Sequence, residues 1–97
     1  MTRGVIFRPQ AEHEALEVRR WYEALRPGLG DEFGAEVDAT VARIAEHPLA
    51  YARVRGETRR AVLTRFPHAL YFRVTAEDII VLAVHGRQDP SRWHTRS

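Results

Sequence analysis

The sequence contains no cysteine and no lysine, and it has no long run of apolar residues. Without cysteine, neither a disulfide framework nor a thiolate metal site can form, which fits a reducing cytosol. No apolar run is long enough for a signal peptide or a membrane span. We therefore expect a soluble cytoplasmic protein with no membrane segment. Its histidines lack metal-ligand spacing and it has no glycine-rich phosphate loop, so no metal or other cofactor is expected.

Charge is distributed unevenly along the 97 residues. Residues 1–50 contain six arginines and nine acidic residues, whereas residues 51–97 contain nine arginines and four acidic residues, so the net charges are −3 and +5. A chain of this length forms a single domain, 1–97, which is too small for a deep enclosed cavity. A function would therefore lie on a face or in a groove. The arginine-rich half suits planar contacts with phosphates or carboxylates, or is simply a solvated surface.

The N-terminal half predicts one strand and two helices. Val5–Arg8 is short and rich in β-formers, and a proline closes it, as in a strand. From Gln10 the apolar residues recur at spacings of four and three, which indicates an amphipathic helix that ends at Arg26-Pro27-Gly28. A second amphipathic helix runs from about Leu29 to Glu46 and stops at a His-Pro pair. The short connection predicts an antiparallel helical hairpin that packs on a sheet.

The tract from Arg59 to Trp93 reads RRAVLTRFPHALYFRVTAEDIIVLAVHGRQDPSRW and contains three short runs of β-branched, aliphatic and aromatic residues. Turn signals at Pro67-His68-Ala69 and Ala76-Glu77-Asp78 separate these runs, which predicts three consecutive antiparallel strands. The irregular segment Leu49–Thr58 is predicted to be an exposed loop. The predicted fold is α+β in the order β-α-α-β-β-β, with the N-terminal strand and the helical hairpin packed on a small antiparallel sheet.

Alternation along the three strands predicts which side chains share a face. With two three-residue turns, the core face holds Val62, Thr64, Phe66, Leu70, Phe72, Val74, Ile80, Leu82 and Val84. The outer face then exposes a candidate surface for binding a macromolecule, made of Arg65, Tyr71, Arg73 and His85. A two-residue second turn would instead move His85 inward. Because Ile79 and Val81 make the last strand apolar on both faces, either the tail from 89 to 97 or another chain must cover its outer side.

Three further positions are candidates for function. Trp21 falls beside the apolar stripe of the first helix, where a partly exposed indole suits a partner-binding anchor. Trp93 either packs over the last strand or anchors a partner. His85 stands at a strand end beside Arg87, where an imidazole either has a functional role or satisfies a backbone group.

The stretches RRAVLTRFPHALYFRV and IIVLAVHGRQDP, together with the small size and the order of elements, resemble the RelE/ParE superfamily of bacterial type II toxins, often described as plasmid stabilisation proteins. The resemblance spans nearly the whole chain and is strongest to the ParE-like branch. It implies a growth-inhibiting toxin that a cognate antitoxin neutralises in a hetero-oligomeric complex. ParE-like members poison DNA gyrase and have no established hydrolytic centre, so the resemblance implies gyrase as the target.

RelE-like members of the same superfamily instead cut messenger RNA on the ribosome, and their pattern fits this sequence poorly. Where such nucleases commonly place an arginine at the start of the middle hairpin strand, this chain has Ala69, and the lysines that several of them use are absent. If the chain is such a nuclease, the resemblance implies His85 and Arg87 as catalytic residues, with Arg73 binding a phosphate. A decayed toxin that only binds its antitoxin is a third alternative.

Overall fold

The computed structural model describes residues 3–86, which form two helices and a five-stranded sheet. In chain order the elements are β1 (Gly4–Phe7), α1 (Pro9–Leu25), α2 (Leu29–Glu46), β2 (Arg53–Arg55), β3 (Thr58–Val62), β4 (His68–Val74) and β5 (Asp78–Gly86). The strand order in the sheet is β1-β5-β4-β3-β2, with β1 parallel to β5 and every other pair antiparallel. The predicted α+β fold, with a helical hairpin packed on a sheet, is confirmed. Within residues 3–86, neither helix has the length and apolar character needed to cross a membrane.

The helical hairpin depends on a tight connection between α1 and α2. Gly28 takes a left-handed conformation, with φ of 90°, that lets the chain reverse between the helices. The Glu23 carboxylate accepts hydrogen bonds of 2.9 Å from the backbone N–H groups of Gly28 and Gly30, which begin α2. A Cβ atom on Gly30 would lie 2.6 Å from the carbonyl oxygen of Arg19. The two helix backbones therefore approach too closely at this point for any larger residue.

The two helices cover one face of the sheet and enclose the main core. Tyr22, Phe33 and Phe66 meet there, with ring centroids 4.9–5.6 Å apart. Burial of each large apolar side chain contributes about 1.5–3 kcal/mol to folding. The other large buried side chains of this core are Ile44, Leu63, Leu70, Phe72, Ile79, Val81 and Val84.

The segment predicted as an exposed loop, Leu49–Thr58, contains a strand. Its residues Arg53–Arg55 form β2, which pairs with β3 at the edge of the sheet and is exposed throughout. The three residues Arg-Val-Arg are too few to show an apolar alternation, and they contain one apolar side chain. The sequence therefore gives no signal for this exposed edge strand.

The predicted register between β3 and β4 is wrong. Ala61 lies opposite Leu70, and both point into the core, whereas Val62 lies opposite Ala69 and is 37% exposed. The connection between the strands has five residues, 63–67, instead of the three predicted. The predicted turn pairs Phe66 with Leu70, whereas Ala61, five residues earlier in the chain, takes that place. A shift by an odd number of residues reverses which side chains of β3 face the helices.

The predicted register between β4 and β5 is correct in one half and wrong in the other. Tyr71 lies opposite Ala83, but the next residue, Phe72, lies opposite Val81, so Leu82 is an extra residue in β5. This β-bulge changes the alternation along the strand. Beyond it, towards the C-terminus, the faces are as predicted; before it, Ile79 and Val81 belong to the main core, not to the outer face.

The face of the sheet away from the helices is called the helix-free face below. By register and alternation, its members include Ile6, Thr58, Arg60, Val62, Ala69, Tyr71, Arg73, Ile80, Ala83 and His85.

Candidate functional site

His85 lies on the helix-free face, as predicted, but the prediction that it is exposed is wrong, since it is 3% exposed. Its Nε2 atom lies 3.4 Å from Oε2 of Glu14 in α1. The other oxygen of that carboxylate, Oε1, accepts a hydrogen bond of 2.9 Å from the backbone N–H of Val84. The pairing of β1 with β5 stops at Val81, so Glu14 continues the hydrogen bonding at this edge beyond the end of β1. The Glu14–His85 contact thus joins α1 to the end of β5.

A small cleft opens beside this contact, between α1 and the ends of β4 and β5. Glu17 lies at its exposed rim, whereas His68 packs its ring 5.8 Å from Tyr22 and 5.6 Å from Phe33. The full lining is Glu14, Glu17, Val18, His68, Val84, His85 and Gly86. Despite this concentration of histidine and glutamate, residues 3–86 contain no group of three or more such side chains arranged to hold a metal ion.

The centre of the helix-free face is buried. Ala69, Tyr71 and Ala83 are each 0% exposed and form a second apolar cluster, separate from the main core. The predicted exposure of Tyr71 is therefore wrong, although the face it occupies is the predicted one. Its role in binding a partner remains a prediction. Ala69 has no exposed surface, so the position offers no open space for a longer side chain.

Arginine side chains border this buried centre. Arg60 in β3 lies directly opposite Tyr71 and is exposed, and Arg73 in β4 lies two residues further along the same face and is half-buried. Arg55 in β2 is exposed and lies opposite Thr58, at the edge of the face. None of the three forms an ion pair or a side-chain hydrogen bond with any residue in the range 3–86. Arg73 is thus placed as predicted, together with arginines that were not predicted to lie beside it.

Arg65 is not part of this face, so its predicted grouping with Arg73 is wrong. It lies in the connection between β3 and β4 and donates a 2.6 Å hydrogen bond to Oε1 of Glu32 in α2. Arg26 binds the second oxygen of the same carboxylate at 3.2 Å. These hydrogen bonds from Arg65 and then Arg26 hold the pKa of Glu32 below its usual value. Because the connection is longer than predicted, Arg65 turns towards the helices.

Glu36, one helical turn after Glu32, holds the same connection in place. Its Oε2 atom accepts hydrogen bonds from the hydroxyl of Thr64 at 2.7 Å and from the Thr64 backbone N–H at 2.9 Å. These two bonds lower the pKa of the Glu36 carboxyl below its usual value. Two carboxylates of α2 therefore fix the β3–β4 connection against the helix.

The outer surface of α1 exposes large apolar side chains. Trp21 is 59% exposed, as its position beside the apolar stripe predicts, and Leu25, one turn further on, is 61% exposed. Leu16 is 44% exposed and borders a groove of about 210 Å³ between the two helices. The other groove residues are Phe7, Glu12, Ala15, Arg19, Phe33, Gly34, Val37 and Asp38. The exposure of Trp21 is confirmed, and its role in binding a partner remains a prediction.

Two predicted site residues, Arg87 and Trp93, lie outside the described residues.

Sequence reasoning missed Glu14, although its spacing carried a signal. Glu14 lies three residues after the buried Ala11 and four before Val18, which places a carboxylate on the apolar side of α1. A carboxylate in such a position is expected to have a specific partner.

Comparisons with known proteins relate residues 5–90 to one family. A family model described as "ParE toxin of type II toxin-antitoxin system, parDE" matches residues 5–90. The structure is similar to a chain of the chromosomal ParDE TA system from P. aeruginosa, with a TM-score of 0.77 and 17% identity over 88% of this chain and 96% of that chain. It is also similar to a chain of the toxin–antitoxin complex RelBE2 from Mycobacterium tuberculosis, with a TM-score of 0.63 and 18% identity over 90% of this chain and 100% of that chain. No curated protein matches the sequence.

Proposed function

This chain belongs to the ParE toxin family of type II toxin–antitoxin systems, and we propose that its toxic act is the poisoning of DNA gyrase in its DNA-bound state. The family match over residues 5–90 is the observation that carries the proposal. Among the branches of the superfamily, the ParE-like one acts on gyrase, and the sequence resembles that branch over the hairpin and the last strand.

The centre of the helix-free face supports gyrase over the messenger RNA alternative. Ribonuclease chemistry needs a general base, an acid and cations around the reacting phosphate. Ala69 is fully buried at the position where RelE-like nucleases commonly place an arginine, and His85 is held against Glu14. Within residues 3–86, this face therefore offers no exposed imidazole beside its arginines.

Gyrase assays with the purified protein test this proposal. We expect supercoiling by gyrase to be inhibited and cleaved DNA to accumulate, because a poison traps the enzyme on broken DNA. In parallel, messenger RNA ends are mapped after expression in cells. Unchanged supercoiling without cleaved DNA, together with codon-registered RNA ends, would reject gyrase in favour of the ribosome. Absence of any growth defect would instead indicate a decayed toxin.

The neutralising partner is a cognate antitoxin, and the outer surface of α1 is the place proposed for part of its contact. The two solved structures that resemble this one come from toxin–antitoxin systems. Trp21 and Leu25 offer adjacent apolar side chains, and exposed tryptophans are frequent binding hot spots.

The Trp21→Ala variant tests this contact. We expect it to weaken antitoxin binding by at least about 30-fold, the loss typical of a hot-spot tryptophan. Leu49→Ala is the matched control, since Leu49 is 62% exposed but lies outside α1 and α2. Calorimetric titration of each variant with the antitoxin gives the affinities. Equal affinities for the two variants would exclude Trp21 from the interface.

A further inference from the structure

We propose that Arg55, Arg60 and Arg73 form a binding site for the phosphodiester backbone of nucleic acid on the helix-free face of the sheet. The inference deepens the proposed function and rests on it in one respect: if gyrase in its DNA-bound state is the target, the backbone in reach is DNA. The three residues are called the arginine triad below.

The members of the arginine triad lie close together on three neighbouring strands. The Cα register puts Arg60 opposite Tyr71, Arg73 two residues beyond Tyr71, and Arg55 opposite Thr58, the residue two before Arg60. Neighbouring strands are about 4.8 Å apart and alternate residues along a strand about 6.8 Å apart. The three backbone positions therefore lie on the order of 7–10 Å from one another across β2, β3 and β4. Side chains as long as arginine can reach adjacent phosphates from such positions.

The triad differs from most other arginines of the described residues in having no structural contact there. Arg19, Arg26, Arg53 and Arg65 each contact a carboxylate within 3.5 Å. Arg59 instead donates to the backbone carbonyls of Leu49 and Tyr51. The triad makes no such contact within residues 3–86. As far as the described part of the chain shows, its three guanidinium groups keep their hydrogen-bond donors available for an anion.

The described part of the helix-free face has few acidic residues. Asp78 is the one acidic residue that the register places on the described part of this face, and it lies opposite Gly4 at the β1 side of the sheet. Glu57, in the turn between β2 and β3, contacts Arg53 at 3.5 Å. Among residues 3–86, the β2–β3–β4 side of the face thus carries three positive charges that no carboxylate pairs with, an arrangement that attracts a polyanion.

The distribution of apolar side chains favours nucleic acid over an acidic protein as the ligand of this face. Stable protein interfaces need apolar anchors at their centre. The centre of this face is already buried, and Trp21 and Leu25, with their large exposed surfaces, lie on α1 on the other side of the sheet. Two exposed apolar side chains do lie on this face, but away from its centre: Ile6, 50% exposed, in β1 at the far edge, and Val62, 37% exposed, at the last position of β3. Because the apolar centre is buried, the groups that this face presents to a ligand are mainly its arginines. Contact with phosphates requires only positive charge and hydrogen-bond donors, which arginines supply.

Fluorescence anisotropy with a labelled DNA duplex tests the inference. The key variant is Arg60→Gln/Arg73→Gln, and its matched control is Arg8→Gln/Arg20→Gln. Arg8 and Arg20 are exposed and, like Arg60 and Arg73, without an ion pair inside the described range, but they lie at the start of α1 and along it. The two variants lose the same charge. We expect the Arg60/Arg73 variant to bind DNA at least about 10-fold more weakly than the control at low salt. The slope of log affinity against log salt should fall by about 0.9 for each phosphate contact removed.

Three further measurements complete the test. Adding Arg55→Gln to the Arg60/Arg73 variant should remove about one further phosphate contact and so lower the salt slope by about 0.9 more. The variant Arg60→Lys/Arg73→Lys should recover much of the DNA affinity because it keeps both charges. A single-stranded RNA of equal length identifies the nucleic acid: stronger binding of the duplex supports DNA as the ligand, and stronger binding of RNA overturns that assignment. Thermal melting and antitoxin binding confirm that each variant is folded.

The outcomes separate this inference from the proposed function. If the wild-type protein poisons gyrase but the Arg60/Arg73 variant and its control bind DNA with the same affinity and slope, the triad is not a phosphate site and the gyrase proposal stands. If the wild-type protein leaves gyrase unaffected while the triad variants still lose DNA binding selectively, the phosphate site stands and gyrase is not the target.

Discussion

The arginines on the two sides of the sheet differ in what they contact. On the side that carries the helices, Arg26 and Arg65 share the carboxylate of Glu32, and Arg19 contacts Asp31 at 2.6 Å. On the helix-free face, Arg60 and Arg73 have no such partner among residues 3–86. On the helical side, arginines thus stabilise the β3–β4 connection and the helical hairpin through ion pairs. On the helix-free face, arginines without an ion pair among residues 3–86 leave positive charge available for a ligand. Substitutions on the helical side should therefore change stability, and those on the helix-free face should change binding.

The largest effect is expected where the helix backbones are closest. Gly30→Ala should lower the free energy of unfolding by about 2–3 kcal/mol, because the new Cβ would lie 2.6 Å from the Arg19 carbonyl oxygen and must push the helices apart. Gly34→Ala is the matched control. Its Cβ would meet the movable end of the Arg19 side chain at 3.0 Å, and alanine favours a helix by about 0.5–1 kcal/mol over glycine. Urea denaturation that gives equal values for the two variants would contradict close backbone packing.

The next effect is expected at the contact between α1 and the end of β5. Glu14→Ala should lower the free energy of unfolding by about 1–3 kcal/mol, because it leaves the backbone N–H of Val84 without its acceptor in a buried site. Glu17→Ala removes a carboxylate from the exposed rim of the same cleft, and its stability should change little. Hydrogen exchange at Val84 provides a local measurement. Unchanged protection of that amide in Glu14→Ala would show that the hydrogen bond is not important for holding β5.

Acid should weaken the contacts that Glu32 and Glu36 make on the helical side. The folded-state pKa values of Glu32 and Glu36 lie below their usual value of 4.5, because hydrogen bonds favour the ionised carboxylates. Their contribution to stability is therefore fully present above the unfolded-state pKa and is lost as the pH falls through the lower folded-state pKa.

The double variant Glu32→Gln/Glu36→Gln tests this pH dependence. It should be less stable than the wild type at neutral pH and lose less stability on acidification, since it no longer carries the two groups that titrate. Glu46→Gln, which removes a carboxylate that has no ion pair within residues 3–86, serves as the control. Chemical denaturation at a series of pH values measures both curves. Parallel curves for the double variant and the wild type would contradict the role of these carboxylates.

How far the sequence predicts this fold depends on whether a signal is local. The first helix ends where Pro27 and Gly28 indicate, and the second ends where His47-Pro48 indicates. The exposure of Trp21 follows from its place beside the apolar stripe. The bulge at Leu82 has no such signal, because β5 is apolar on both faces and alternation cannot show where an extra residue lies. The length of the β3–β4 connection also has no local signal, because contacts with Glu32 and Glu36 of α2 hold this connection in place.

The candidate site shows the same limit. Arg73 was placed correctly because simple alternation along β4 determines its face. The burial of His85 was not predicted, because it is packed against Glu14, about seventy positions earlier in the sequence. Arg55 and Arg60 were missed as members of one surface, since their grouping depends on β2 and on the register of β3. Long-range pairing, which no local pattern encodes, decides which arginines share a face.

The smallest expected effect compares one arginine from each side directly. Arg65→Gln removes an ion pair with Glu32, so the melting temperature should fall by a few degrees at low ionic strength. Arg73→Gln removes no ion pair within residues 3–86, so the melting temperature should stay near that of the wild type. In salt of about 1 M the Debye length is about 3 Å, so the difference between the variants should largely disappear. Calorimetric melting of both variants at low ionic strength and in high salt measures this difference in melting temperature. A difference that persists in high salt would mean that Arg65 stabilises the fold by packing over Phe66, 5.7 Å from its ring centroid, and not through its charge.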